Sequence, residues 1–171
     1  MTRSANAVRP GLYLLSQLKR YRYMSLPNRP ALAGDIDTLA RTAYGEDRGD
    51  GLQGMIAVCW VACNRAAIAE RTGRKQFGDG SIAAACLAPE QFDCWMTGKP
   101  FLANRKAMLE ATLDDHDYQL ATLAALMVVS GQAPDCTQGA DGYWAQSIAT
   151  PAWAEGKAYV SIGHQKYAAG I

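Results

Sequence analysis

The chain has 171 residues, 49% hydrophobic and 19% charged, which suits one compact soluble domain with a single buried core. The apolar run Leu123–Val129 is far shorter than the roughly 20 residues that cross a bilayer. The net charge of +1 hides an asymmetry: residues 1–34 carry six of the 17 basic residues and none of the 16 acidic ones, leaving 11 basic against 16 acidic in residues 35–171.

Residues 1–34 are therefore read as a basic arm on an acidic body, residues 35–171. Such an arm is either a solvated extension, a first helix with its polar side in water, or the source of a field that attracts an anionic envelope surface such as membrane phosphate or an acidic wall polymer, and no nucleic-acid partner is expected. Its "GLYLLSQL" run is broken at once by "KRYRY", so it is not read as a signal peptide. Five cysteines, Cys59, Cys63, Cys86, Cys94 and Cys136, give an odd count with no C-x-x-C pair, which excludes a disulfide-dense module and gives no structural zinc site. A reducing compartment, a monomer, and no metal or cofactor are expected.

Along the body, Asp35 is the expected N-cap of a helix whose apolar positions Ile36, Leu39, Ala40 and Ala43 recur at helical spacing until Gly45 and Gly49 weaken the pattern. Leu52, Met55, Ile56, Cys59, Cys63, Ala66 and Ala67 then form a clear amphipathic stripe, on which Cys59 and Cys63 read as small core residues. A Gly-rich loop over 71–80 leads to a short helix in "SIAAACLA", stopped by Pro89. After an irregular 93–100, about ten helical residues follow Phe101, and acidic "DDHD" precedes a strong helix over Tyr118–Val129. From Thr137 onward, runs such as "KAYVSIG" predict a small strand-and-loop region.

Glu46 lies seven residues after Leu39 and three after Ala43, on the apolar stripe. A carboxyl partly desolvated there is expected to hold its proton toward neutral pH, the state a general acid needs to protonate a glycosidic oxygen. The bland alternative is a helix-end Glu paired with Arg41 or Arg48. Asp50, at i+4, is either a second carboxylate or an orienting residue that holds Arg48 or a turn N–H.

The run "LARTAYGEDRGDGLQGMIAVCWVACNR" (39–65) resembles the SleB/CwlJ-type cell wall hydrolases, in which L-A-R-x-x-Y-G-E-A-R-G-E is followed by G-x-x-A-V-A-x-V-x-x-N-R. "CLAPEQFDCW" (86–95) is similar to that family's C-L-x-P-x-Q-F-S-C-W segment, and "PDCTQGADGYWA" and "PAWAEGKAYVSIGHQKY" to its looser C-terminal blocks. Glu46 stands at the family's catalytic Glu and Asp50 where a second Glu is usual. His164 falls one position before the family's His, with Gln165 at that position, so no catalytic His is carried over. The resemblance covers about residues 35–167.

This resemblance implies a mainly α, lysozyme-like (α+β) fold with a small strand region near the C-terminus, and cleavage of the glycan strand of peptidoglycan. A lytic transglycosylase needs one carboxyl, Glu46, as acid and then base. A retaining lysozyme needs a second carboxylate about 5–5.5 Å away and an inverting one about 6.5–9.5 Å. Trp95, Tyr143 and Trp144 are candidate sugar-stacking residues, Gln91 is a candidate hydrogen-bond partner, and Cys86 and Cys94 are either a disulfide or two core thiols. Two rivals stand: a Cys–His wall peptidase built on Cys94 with His116 or His164, and a non-catalytic peptidoglycan-binding virion module. A single catalytic domain of this kind resembles a phage endolysin, held in the cytoplasm until holin-type release.

Overall fold

The computed structural model describes residues 26–28 and 30–171. All six basic residues of the arm thus lie outside the described residues. Among the described residues five α-helices, α1 (Ala33–Asp47), α2 (Gly51–Thr72), α3 (Ile82–Leu87), α4 (Leu102–Glu110) and α5 (His116–Val129), precede a small sheet of β1 (Gly142–Ala145), β2 (Val160–Ile162) and β3 (Gln165–Ala168). The strands are antiparallel in the order β1-β3-β2, which makes β1 an edge. This is the expected mainly helical domain with a small C-terminal sheet.

The core forms where α1, α2 and α5 pack together. α2 is its axis: the predicted stripe is buried from Met55 onward, with Leu52 half-buried, but so are Val58, Trp60, Val61 and Arg65 on its other side, because helices cover one flank and the sheet and loops cover the other. By length and composition the helical stretch 33–72 is apolar enough to cross a membrane, yet its residues are mostly buried inside this fold.

Two expectations about α1 are corrected. Asp35 is not the N-cap. The helix starts two residues earlier, and Asp35 reaches back from the first turn to accept the Leu32 N–H (2.9 Å) and across to accept the Ala83 N–H at the start of α3 (2.8 Å). Nor does Gly45 weaken the helix, which runs on to Asp47. The glycine is there for close approach, since a Cβ on it would lie 2.5 Å from the Cys94 Cβ. The consequence is functional: Glu46 sits on a regular last turn with the 93–95 segment pressed against it.

The remaining ends follow side-chain chemistry. Ser81 caps α3 by accepting the Ala84 N–H, and Asp115 caps α5 by accepting those of Asp117 and Tyr118. α5 therefore begins two residues before the predicted Tyr118. Cys86 and Cys94 are free, buried thiols, as are Cys59 and Cys63. The core-thiol alternative, rather than the disulfide, is what the structure contains.

Candidate active site

Glu46 is half-buried, and each of its carboxylate oxygens accepts one hydrogen bond. The backbone N–H of Cys94 donates to Oε1 (2.7 Å) and the Tyr143 hydroxyl to Oε2 (2.6 Å). The carboxyl is thereby fixed by three separate parts of the chain: the last turn of α1, the 3₁₀ turn Asp93–Trp95, and the edge strand β1. Arg41 is committed to Asp37 (2.9 Å) and Arg48 to Asn104 (2.7 Å), so the helix-end ion pair considered for Glu46 is not formed.

Glu46 lines a cleft of about 640 Å³ together with Arg65, Gln91, Asp93, Asn104, Tyr143 to Ala145, Trp153 and Gln165. Asn104 donates to the Gly45 carbonyl (2.8 Å) while accepting from Arg48, which braces the turn that carries Glu46. Arg65 is buried beneath the cleft. It donates to the Asp141 carbonyl (2.7 Å) and the Gln91 carbonyl (2.9 Å) and lies 4.6 Å above the Phe92 ring, tying the loop before β1 to the loop after α3. Burial pulls its pKa below the usual arginine value, and the nearby Tyr143, Asp141 and Glu46 oppose that pull.

Tyr143 is the partner of Glu46, not a stacking platform. Its ring is packed between Phe92 and Tyr167, with centroids at 6.4 and 5.6 Å. Burial first, and the charge of Glu46 second, push its hydroxyl well above the usual tyrosine range, so it stays a hydrogen-bonding phenol. Gln91 does line the cleft, its side-chain amide resting on the Pro89 carbonyl at 3.3 Å. Trp144 also lines it, edge-on to Trp153 (5.4 Å) and Tyr159 (5.7 Å). Its Nε1, like the Oε1 of Gln165, is buried without a partner among the described residues. Trp95 is not a cleft residue: its indole N–H is spent on the Thr42 hydroxyl (2.9 Å), and the ring packs on the helical core.

Asp50 is engaged with the β2–β3 hairpin. Its carboxylate, 5% exposed, accepts the His164 backbone N–H (2.6 Å) and bonds the His164 ring Nδ1, clamping the β2–β3 hairpin to the end of α1. Gly163 leaves the room, since a Cβ there would lie 2.0 Å from the Asp50 Oδ2. Burial works against the Asp50 charge, but the hydrogen bonds from His164 and from Asp47 outweigh it and hold the carboxyl below its ordinary value. Asp47 bears the opposite strain. Burial, followed by the charge of Asp50, raises its carboxyl to about 7.

The peptidase constellation is not assembled. Cys94 is fully buried, its Sγ directed at the Thr42 carbonyl 3.9 Å away. Burial and then the charge of Glu46 drive its thiol far above the range in which a thiolate forms. His164 is bound to Asp50, and His116 lies beside Asp117 on the surface. Among the described residues no cluster of three or more His, Cys, Asp or Glu is arranged to hold a metal.

Sequence reasoning missed Arg65, Asn104, Asp93 and Gln165. Arg65 had a signal, a charge nearly four helical turns into an apolar helix. Gln165 had one too: strand alternation puts it on the face of Tyr143 and Tyr167 and turns His164 out, 91% exposed.

The sequence profile described as Cell Wall Hydrolase matches residues 49–168. Two solved structures share the fold. The catalytic domain of the Bacillus cereus SleB protein has a TM-score of 0.60 and 24% identity, covering 84% of this chain and 94% of that one. The catalytic domain of the germination-specific lytic transglycosylase SleB from Bacillus anthracis has a TM-score of 0.55 and 23% identity, covering 84% and 99%. No curated protein matches.

Proposed function

Because this chain belongs to the cell wall hydrolase family and is a peptidoglycan-cleaving enzyme of lysozyme-like fold, we propose that it cuts the glycan strand between N-acetylmuramic acid and N-acetylglucosamine as a lytic transglycosylase, with Glu46 as acid and then base. The observation that carries this reading is the two-point suspension of Glu46 in the cleft. The backbone N–H on Oε1 can only donate, whereas the Tyr143 hydroxyl on Oε2 can donate or accept. Oε2 is therefore the oxygen that can carry a proton and keep its partner.

Protonated Glu46 gives that proton to the glycosidic oxygen as the bond from the muramic C1 breaks, releasing the leaving sugar as an alcohol. The muramic C6 hydroxyl then attacks C1, and its proton returns to Glu46 as the 1,6-anhydro ring closes. The engagement of Asp50 with His164 supports a one-carboxylate mechanism.

A second reading, hydrolysis, is favoured by one observation: Asp93, not Asp50, is the other carboxylate on the wall of the large cleft that Glu46 lines. Mass spectrometry of digested peptidoglycan separates the two. Anhydromuropeptides are expected, reducing-end muramic acid would replace transglycosylation by hydrolysis, and free stem peptides would sink both. Glu46→Gln is expected to lower the rate on the order of 10²–10⁴-fold. The proposal includes an endolysin role, a cytoplasmic enzyme that reaches the wall when a holin-type partner opens the membrane. Lysis on permeabilising the membrane of cells that express it tests that part.

A further inference from the structure

β1 meets the cleft with its edge. Tyr143, Trp144 and Ala145 are consecutive and all line the cavity, although successive side chains of a strand point to opposite faces. What the three residues share is the outer edge of the backbone. The ladder shows which groups lie there. Gln146 donates to the His164 carbonyl (2.8 Å), and in the register that pairs Ala145 with Gln165 and Trp144 with Lys166, hydrogen-bonded pairs alternate. Trp144 therefore bonds to β3, and the N–H and C=O of Tyr143 and Ala145 point away from the sheet; at the far end of the ladder the Ala168 carbonyl accepts the Asp141 N–H (3.2 Å).

The Ala145 carbonyl is taken by the Ile148 N–H (3.2 Å). Outside the ladder to β3, the Tyr143 N–H, the Tyr143 C=O and the Ala145 N–H make no hydrogen bond among the described residues. One residue of the edge thus offers a donor and an acceptor facing the same way, with a second donor two residues on. An extended peptide complements this pattern, because the N–H and C=O of any one of its residues also face the same side. A sugar acetamido group does not, since its trans amide directs N–H and C=O oppositely.

We infer that the free edge of β1 binds the stem peptide of the substrate by main-chain pairing, next to the glycosidic bond held at Glu46. The inference rests on the glycan-cleavage reading and deepens it, because the muramic residue acted on by Glu46 is the one that bears the peptide. Tyr143 then has two functions: its side chain holds Glu46 and its backbone holds the peptide. The apolar residues Ile148, Pro151 and Trp153 on the same wall suit small side chains such as that of alanine.

Glycan strands that carry stem peptides, and the same strands stripped of them by an amidase, test this with wild type and Ala145→Pro. Proline removes one outward N–H and leaves the ladder to β3 intact, which an edge strand tolerates. Wild type is expected to cleave peptide-bearing strands about tenfold faster than stripped ones, and Ala145→Pro to narrow that preference about threefold or more. Equal cleavage of the two by wild type, or an undiminished preference in Ala145→Pro, overturns the inference.

Should Ala145→Pro not fold, amide exchange at Tyr143 and Ala145 in Glu46→Gln, with and without a free stem tetrapeptide, decides it. Slowed exchange at both supports the pairing and unchanged exchange overturns it. If wild type cleaves neither substrate, the glycan-cleavage reading fails, and the exchange result alone judges the peptide site.

Discussion

The Tyr143 hydroxyl and the Glu46 carboxylate meet at 2.6 Å across 97 residues of chain, and this bond joins the helical body of the enzyme to its sheet. Tyr143→Phe keeps the ring between Phe92 and Tyr167 but leaves Oε2 without its donor. A hydrogen bond to a charged group contributes about 1.5–3 kcal/mol, so activity on peptidoglycan is expected to fall roughly 10–100-fold with little change in melting temperature. Unchanged turnover would remove Tyr143 from the machinery.

Cys94 contributes to Glu46 through its backbone, and its side chain fills a tight place against Gly45. Cys94→Ala should keep most of the glycan-cleaving activity, because the N–H that holds Oε1 survives. A loss as complete as that of Glu46→Gln, with stem peptides no longer released, would revive the peptidase reading.

Gly45→Ala should be far more damaging than an Ala in a helix ordinarily is. The added methyl meets the Cys94 Cβ at 2.5 Å and pushes the 93–95 turn off the Glu46 carboxylate. Overpacking of this sort costs about 1–3 kcal/mol. Thermal unfolding should show the destabilisation and kinetics a fall in kcat, and a variant as stable and active as wild type would refute the packing argument.

The raised carboxyl of Asp47 sets a pH dependence of stability. Folded protein keeps this proton up to about pH 7, whereas the unfolded chain releases it near 3.8. Stability contributed by the protonated form is therefore complete below about pH 4 and lost as pH rises to about 7, by roughly 4 kcal/mol. Asp47→Asn removes the titration and retains the size, so its melting temperature should exceed that of wild type increasingly from pH 4 to 7 and run parallel above it. Parallel curves across the whole range would contradict the assignment.

Much of this architecture was legible in the chain, and the failures have specific causes. Periodicity located α1 and α2, and local composition and stop signals the other three α-helices among the described residues, because these signals are local. It misjudged the ends of α1, where Asp35 and Gly45 serve partners 48 and 49 residues away and so look, locally, like a cap and a breaker. Glu46 was recognisable from its place on the stripe and its motif. Its two donors were not, since a backbone N–H leaves no mark in composition and a tyrosine reads as core or sugar platform equally well. The partner of Asp50 was equally hidden, since His164 lies 114 positions on and no spacing rule connects the two.

The suspension of Glu46 between Cys94 and Tyr143 also sets when this enzyme can first act. One support comes from mid-chain and the other from a strand whose own neighbour, β3, follows it about twenty residues further along the chain. A nascent or truncated chain that has completed the helices carries the acid but not the clasp that aims it, and competence arrives only when the sheet docks. Turnover in this protein is accordingly expected to report whether the sheet is docked, and any local opening of the hairpin that leaves the helices untouched should silence the enzyme long before it melts.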